Sequence, residues 1–277
     1  MGSSLDNLKD IIAKWKKEID KRLEELIKNC YEEQVIGTAK YIVENGKRLR
    51  GSLAILVSEA LGGRAEDAMP AALALELVHA ASLSLDDIID QDLTRRGRPS
   101  SWVVHGVGDT VMVSNLLIPH AISLVRVYGF RAVNKVIEVW WEISKGEVWD
   151  VHGPPKEEEP LKAYERIIEA KTASLFALAS YLGALAAGEE ERLEDAWRYG
   201  FILGKAYQIA DDLMDYSEDN SFSAKLFRRW IESVGKAGVI KRLKELVKEA
   251  EELGKLLGEP LDSFPREGVA MLLGSPI

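Results

Sequence analysis

One cysteine, Cys30, stands among 277 residues, so no internal disulfide can form, and a reducing, cytoplasmic compartment is expected. Positive charge is in deficit. Lys and Arg total 36 against 45 Asp and Glu, a net charge of −9, which excludes the general electrostatic footprint of a nucleic-acid binder. The uncharged run 173–188 is short and Ala-rich for a membrane span, and is expected to be a buried helix; no transmembrane segment is expected. The N-terminal stretch LDNLKDIIAKWKKEIDKRLEELI is charged and amphipathic, without the apolar core of a signal peptide. No segment alternates convincingly in the manner of a strand, and no period of 20–50 residues repeats.

What is present is helical periodicity. Hydrophobic residues make up 47% and charged residues 29%, an ordinary globular balance. Leu8, Ile11, Ile12, Trp15, Ile19, Leu23 and Leu26 form one stripe, and Val136, Val139, Trp140 and Ile143 another. Breaks fall at NGKRLRG, LGGRAEDAMP, RRGRPSSW, HGPPKEEEP, LAAGEEE and LGEPLDSFP. The expectation is an all-α chain, a single domain over 1–277 with roughly ten helices.

Two acidic clusters sit on otherwise apolar helices. Asp86 and Asp90 are four apart, so a helix puts both carboxylates on one face, with Asp87 beside them. The stretch GKAYQIADDLMD repeats the pattern with Asp211, Asp212 and Asp215; Asp211 and Asp215 share a face, with Gln208 one turn earlier. Like charges so placed repel unless a cation compensates. Hard oxygen donors suit Mg²⁺, which shares its shell with substrate phosphates. Several such ions on one diphosphate would neutralise a leaving group. A calcium loop needs spaced ligands and a loop glycine, which these helical sites lack.

Basic residues accompany them. Arg95 and Arg96 follow the first cluster, and arginine grips phosphate oxygens bidentately. Lys47 and Arg50 lie one turn apart at a helix start, where backbone N–H groups also favour anions. His79 precedes Asp86 by seven residues on the same face, and Lys171 and Thr172 open a long apolar helix. Together they describe two anion sites round one cavity, one through metal and one by direct contact.

In this order the motifs resemble those of the all-trans isoprenyl diphosphate synthases. GKRLRG resembles the opening GKxxR motif. ALELVHAASLSLDDIIDQDLTRRGRP resembles the first aspartate-rich motif with its RRGxP tail. KTASLF resembles the KT motif, and GKAYQIADDLMDY the second aspartate-rich motif. The resemblance spans nearly the whole chain. It implies a helical bundle of the isoprenoid synthase type with a central substrate cavity, usually a homodimer, and three Mg²⁺ ions at the active site. Asp86, Asp90 and Asp211, with Asp87 and Asp215 beside them, would hold the metal. Arg95, Lys171, Thr172, Gln208 and Lys225 would serve the allylic diphosphate, and Lys47, Arg50, His79 and Arg96 the isopentenyl diphosphate. The implied reaction is metal-assisted ionisation, condensation and proton loss.

Several positions depart from the family pattern. Leu85 stands where His is common, and Glu147 where Gln is usual, with Asp150 kept. SAKLFRRWIESVGK replaces GKxxGxDLxxGK: Lys225 keeps its spacing, Lys236 is shifted by one, and Trp230 falls near the Asp position. Product length is expected to follow from the residues four and five places before Asp86, about 6–8 Å below it on a helix rising 1.5 Å per residue. Those are Ser82 and Ala81, both small where farnesyl-length members of the family carry bulk. Geranylgeranyl diphosphate is therefore the first expectation and the twenty-five-carbon product the second, with Trp140, Trp141 and Trp149 as candidate floor residues. A terpene cyclase shares the fold but needs no second-substrate residues. A non-catalytic subunit of a heteromeric synthase would explain the altered segment after Asp215.

Overall fold

The computed structural model describes residues 4–154, 159–215 and 221–275. The chain runs α1 (Ser4–Cys30), α2 (Glu33–Val43), α3 (Leu49–Ala60), α4 (Ala65–Ile89), a hairpin of β1 (Thr94–Arg95) and β2 (Arg98–Pro99), then α5 (Ser101–Leu124). A 3-10 turn leads to α6 (Phe130–His152), followed by α7 (Pro160–Ile168), a π turn (Glu169–Ala173), α8 (Ser174–Ala187), α9 (Leu193–Asp215), α10 (Phe222–Leu257) and α11 (Phe264–Leu273). This is the all-helical bundle expected.

The first helix shows why these residues fold so. Leu8, Ile12, Trp15, Ile19, Leu23 and Ile27 recur every three or four residues and are all buried. The outward face is laced by Lys16–Asp20 and Arg22–Glu18 pairs one turn apart. Each buried large side chain contributes about 1.5–3 kcal/mol as an upper figure.

Two clusters of buried side chains organise the bundle. One gathers α1, α3, α4, α8 and the first half of α9, including Leu53, Leu77, Phe176 and Tyr199. The other gathers α7, the second half of α9 and α10, around Tyr164, Ile209, Phe227 and Trp230. Trp230, near the position of the missing family aspartate, is therefore packed inside, 3% exposed.

Three boundaries differ from the sequence reading. RRGRP is a short antiparallel hairpin, pairing Thr94 with Pro99 and Arg95 with Arg98. Its tip residues Arg96 and Gly97 both have positive φ, 54° and 75°, as a tight two-residue hairpin turn requires. Helix α4 already begins at Ala65, so AEDAMP is helix rather than linker. Lys171 and Thr172 do not open a helix: α7 runs into α8 through the π turn that carries them. Of the HGPPKEEEP loop, residues 155–158 lie outside the described part.

Three helical stretches are long and apolar enough to cross a membrane by length and composition: 65–89, 101–128 and 160–187. In the first and third, 72% and 78% of the apolar window is buried against other helices; in the second only 33% is. The outward apolar residues of α5 include Val104, Val107, Met112 and Leu116, and those of α6 include Phe130, Ile137, Trp141 and Val148. Trp141 is 68% exposed and cannot be the floor of a cavity within this chain, whereas Trp140 and Trp149 are partly buried against the two cores.

Candidate active site

Asp86 lies in the last turn of α4 and Asp90 caps its C-terminus, so the expected face forms. Opposite stands the π turn. Its Lys171 ammonium lies 2.8 Å from Glu147, 2.9 Å from Asp150 and 3.9 Å from Asp86. Gly146 on α6 permits this approach, since a Cβ there would fall 2.8 Å from the Lys171 backbone nitrogen. Three carboxylates thus surround one ammonium, and Asp90 lies close enough to feel its charge. Burial pushes the Asp86 carboxyl up, and Glu147 and Asp90 add to the effect against the pull of Lys171. Asp90 is pushed up to about 6, by burial first and then by Glu147 and Asp150, again against Lys171. The same carboxylates hold the Lys171 ammonium above its ordinary range despite its burial. The cluster is short of positive charge.

Asp87, beside them in sequence, is turned elsewhere. It is buried, and Arg95 grips it, with Nε at 2.6 Å; Arg95 also reaches Asp92 at 3.2 Å. The structure therefore does not bring Asp87 or Arg95 to Lys171.

The second acidic segment is divided in the same way. Asp211 is exposed, close enough to Arg50 and Tyr207 to act on their protonation. Asp212 is fixed instead: Tyr164 donates to it at 2.5 Å and Gln208 at 2.8 Å, while Gln208 accepts from Thr172 at 2.9 Å. Nothing of the Asp215 side chain lies in the described part.

On the basic side, Arg50 is stacked over the Phe176 ring at 4.5 Å and donates to His79 Nε2 at 3.1 Å. Its Nε is buried without a hydrogen-bond partner. Burial lowers the affinity of the Arg50 and Arg96 guanidiniums for their protons, and drives His79 well below its ordinary range, helped by Arg50 and Arg96. A neutral imidazole accepting from Arg50 follows. Lys47 is exposed just before α3. A pocket here is lined by Glu76, His79, Ser84, Asp87, Arg95 and Arg96. This side is short of negative charge.

The remaining expected residues are placed more loosely. Lys225 and Lys236 are exposed on α10, and the first turn of α10 docks through Ser223 N–H on Asp150 at 2.8 Å. Ala81 is fully buried, and the Ser82 hydroxyl turns back to the His79 carbonyl at 2.9 Å.

Sequence reasoning missed two supports. Buried Arg48 bonds Asp20 at 2.7 Å and faces buried Glu76 at 3.5 Å, and Glu76 accepts from Gly51 N–H at the start of α3. Buried Lys205 pairs with Glu169 and Glu165. The available signal was a lone charge in an apolar run, Glu76 in ALALELVHAA and Lys205 in FILGKAYQIA.

The profile of the family described as polyprenyl synthetase matches residues 32–257. The chain belongs to the polyprenyl synthetase family. It is 38% identical over 210 residues to a hexaprenyl pyrophosphate synthase of Saccharolobus solfataricus, covering 74% of this chain and 72% of that one. To a short chain isoprenyl diphosphate synthase of Methanothermobacter thermautotrophicus it is 32% identical over 279 residues, covering 94% and 85%. The fold matches that of a geranylgeranyl pyrophosphate synthetase from Geoglobus acetivorans with a TM-score of 0.82 at 24% identity, over 95% of this chain and 99% of that one. The chain is accordingly a prenyltransferase of the isoprenoid synthase fold, from a family that uses isoprenoid diphosphates and Mg²⁺.

The donor set fits that ion. Asp86, Asp90 and Asp211 offer hard oxygen, and their neighbours leave Asp86 and Asp90 in need of a cation. Among the described residues no three carboxylates or imidazoles close on one point as a ready cage. Such a site suits an ion that completes its shell with substrate phosphates.

Proposed function

We propose that the protein condenses isopentenyl diphosphate with an allylic diphosphate and yields geranylgeranyl diphosphate. The observation that carries this reading is a pair of unbalanced half-sites: carboxylates short of cation at Asp86 and Asp90, and the Arg50 guanidinium short of anion. A substrate pair joining metal-bound and directly bound diphosphates would satisfy both.

Asp86, Asp90, Asp211 and Asp215 would hold the metal, and Lys171, Thr172, Gln208 and Lys225 would orient the allylic diphosphate. Bound Mg²⁺ would neutralise charge on the departing diphosphate. Arg50, His79, Arg96 and Lys47 would hold isopentenyl diphosphate, with neutral His79 accepting from Arg50 so that the guanidinium keeps its remaining donors for phosphate. The allylic carbon–oxygen bond breaks to give an allylic cation. The isopentenyl double bond attacks it, and the proton then leaves to the released diphosphate. Three ions per site, a single working unit over 1–277 and a cytoplasmic setting belong to the same reading. So does a homodimer, favoured by the uncovered apolar faces of α5 and α6.

Small Ala81 and Ser82 favour a chain beyond fifteen carbons; a twenty-five-carbon product is the second reading, favoured by the same gap. The altered start of α10 favours a non-catalytic subunit as the alternative from another class. Purified protein supplied with Mg²⁺, isopentenyl diphosphate and five-, ten- or fifteen-carbon primers, with products sized by mass spectrometry, separates these. A twenty-carbon product reduced at least about 100-fold in Asp86→Ala and in Asp211→Ala is expected. No product with any primer from folded protein overturns the reading.

A further inference from the structure

The turn that carries Lys171 and Thr172 is gripped from its far side by a buried lysine. The Lys205 side chain on α9 is 7% exposed, with its ammonium 2.6 Å from Glu169 and 3.3 Å from Glu165. Arg242 on α10 closes on Glu165 at 2.9 Å. Withdrawing an ammonium from water is costly, and an apolar side chain of similar length would fill the same place without that penalty. Stability alone therefore gives little reason for a charge between Gly204 and Ala206.

The geometry supplies a reason. Glu169 and Thr172 lie three residues apart in the π turn, and Lys205 and Gln208 three residues apart on α9. Two rungs join them, Lys205 to Glu169 and Thr172 to Gln208 at 2.9 Å, and Lys171 falls between Glu169 and Thr172 in the sequence of the turn. Gly204 lets α9 come close enough, since a Cβ there would fall 2.7 Å from the Ala173 Cα. A π turn is a rare local widening of a helix, and an ordinary α-helical register competes with it. A change of register would rotate Lys171 and Thr172 about the axis.

We propose that Lys205 is a positioning residue: through Glu169 it holds the π turn in the register that presents the Lys171 ammonium and the Thr172 hydroxyl to the allylic diphosphate. This rests on the prenyl-transfer reading and adds a residue to it. The test uses Lys205→Met, Lys205→Arg and the double variant Lys205→Met/Glu169→Met. The double variant leaves Glu165 to Arg242 and strands no carboxylate, so it folds even where the single one does not. Binding of Mg²⁺ with inorganic pyrophosphate is measured by calorimetry, together with melting temperature and separate KM values for the two substrates. The double variant is expected to melt near the wild-type temperature, to bind pyrophosphate about tenfold more weakly and to raise the allylic KM about tenfold, with the isopentenyl KM unchanged. Lys205→Arg is expected to recover most of the loss. A folded double variant with wild-type pyrophosphate binding and allylic KM overturns the proposal, as does a parallel loss of both KM values and melting temperature. Wild-type protein that neither binds pyrophosphate nor forms product overturns the underlying reading, and this proposal with it.

Discussion

At the scale of single residues, His79 reports on the basic half of the site. Its folded pKa lies well below its ordinary value because burial and the nearby arginines oppose a second positive charge. The unfolded chain therefore takes up a proton that the folded one refuses once the pH falls below about 6.5. The stability contributed is fully present above that pH and is lost on acidification, by up to about 1.4 kcal/mol per pH unit for one proton. Denaturant midpoints of metal-free protein between pH 7.5 and 5 should fall less steeply in His79→Asn than in wild type. Asp90 behaves with the opposite sign. Its folded pKa is raised to about 6, so the native state favours the proton, and the metal-free protein loses stability as the pH rises from about 4 to about 6 and stays at the lower level above that. Asp90→Asn should therefore gain about 1 kcal/mol at pH 7.5, discounted for exposure, and gain nothing at pH 4, while losing turnover. The paired carboxylates were legible in the sequence because a spacing of four has one helical meaning. Which of two adjacent aspartates faces the cavity was not: Arg95 takes Asp87 and Tyr164 takes Asp212, leaving Asp86 towards Lys171 and Asp211 exposed, and neither partnership is announced by local spacing.

At the scale of elements, the active arrangement depends on how closely helices approach. Gly146→Ala would drive a methyl group into the backbone of the π turn, where Lys171 N stands 2.8 Å from the Cβ position. Overpacking of this kind costs about 1–3 kcal/mol, so the variant should melt several degrees lower and lose turnover more than its residual stability accounts for. Helix existence was legible from periodicity throughout, and helix ends less so. The hairpin of two-residue strands is too short to alternate, and the left-handed Arg96 and Gly97 at its tip are what make it. The π turn escaped because α7 and α8 each satisfy a helical period on their own; the polar pair Lys171 and Thr172 at the seam reads as the start of a helix.

At the scale of the whole molecule, α5 and α6 both turn large apolar side chains outward: only 33% of the apolar window of α5 is buried, and Phe130 and Trp141 of α6 are 77% and 68% exposed. Apolar faces of this extent on a helical bundle call for a partner, and a second copy is the occupant proposed. Leu116→Asp together with Trp141→Asp should shift sedimentation from dimer to monomer and leave the helical circular dichroism signal unchanged. Sedimentation of wild-type protein as a monomer would overturn the homodimer.

The widened turn between α7 and α8 has one more consequence. Ala163, Tyr164, Ile167 and Ile168 pack into one core, and Leu175, Phe176, Leu178 and Leu182 into the other, so a single continuous rod serves both. A uniform helix keeps one phase along its length, each residue advancing about 100°. The π turn is a phase shifter. It lets the first half of the rod stay in step with α10 and the second half with α3. Lys171 and Thr172 sit where the two phases meet and neither core claims their side chains, so deleting one residue between 169 and 173 would dephase one half of the rod and swing the ammonium away from Glu147 and Asp150.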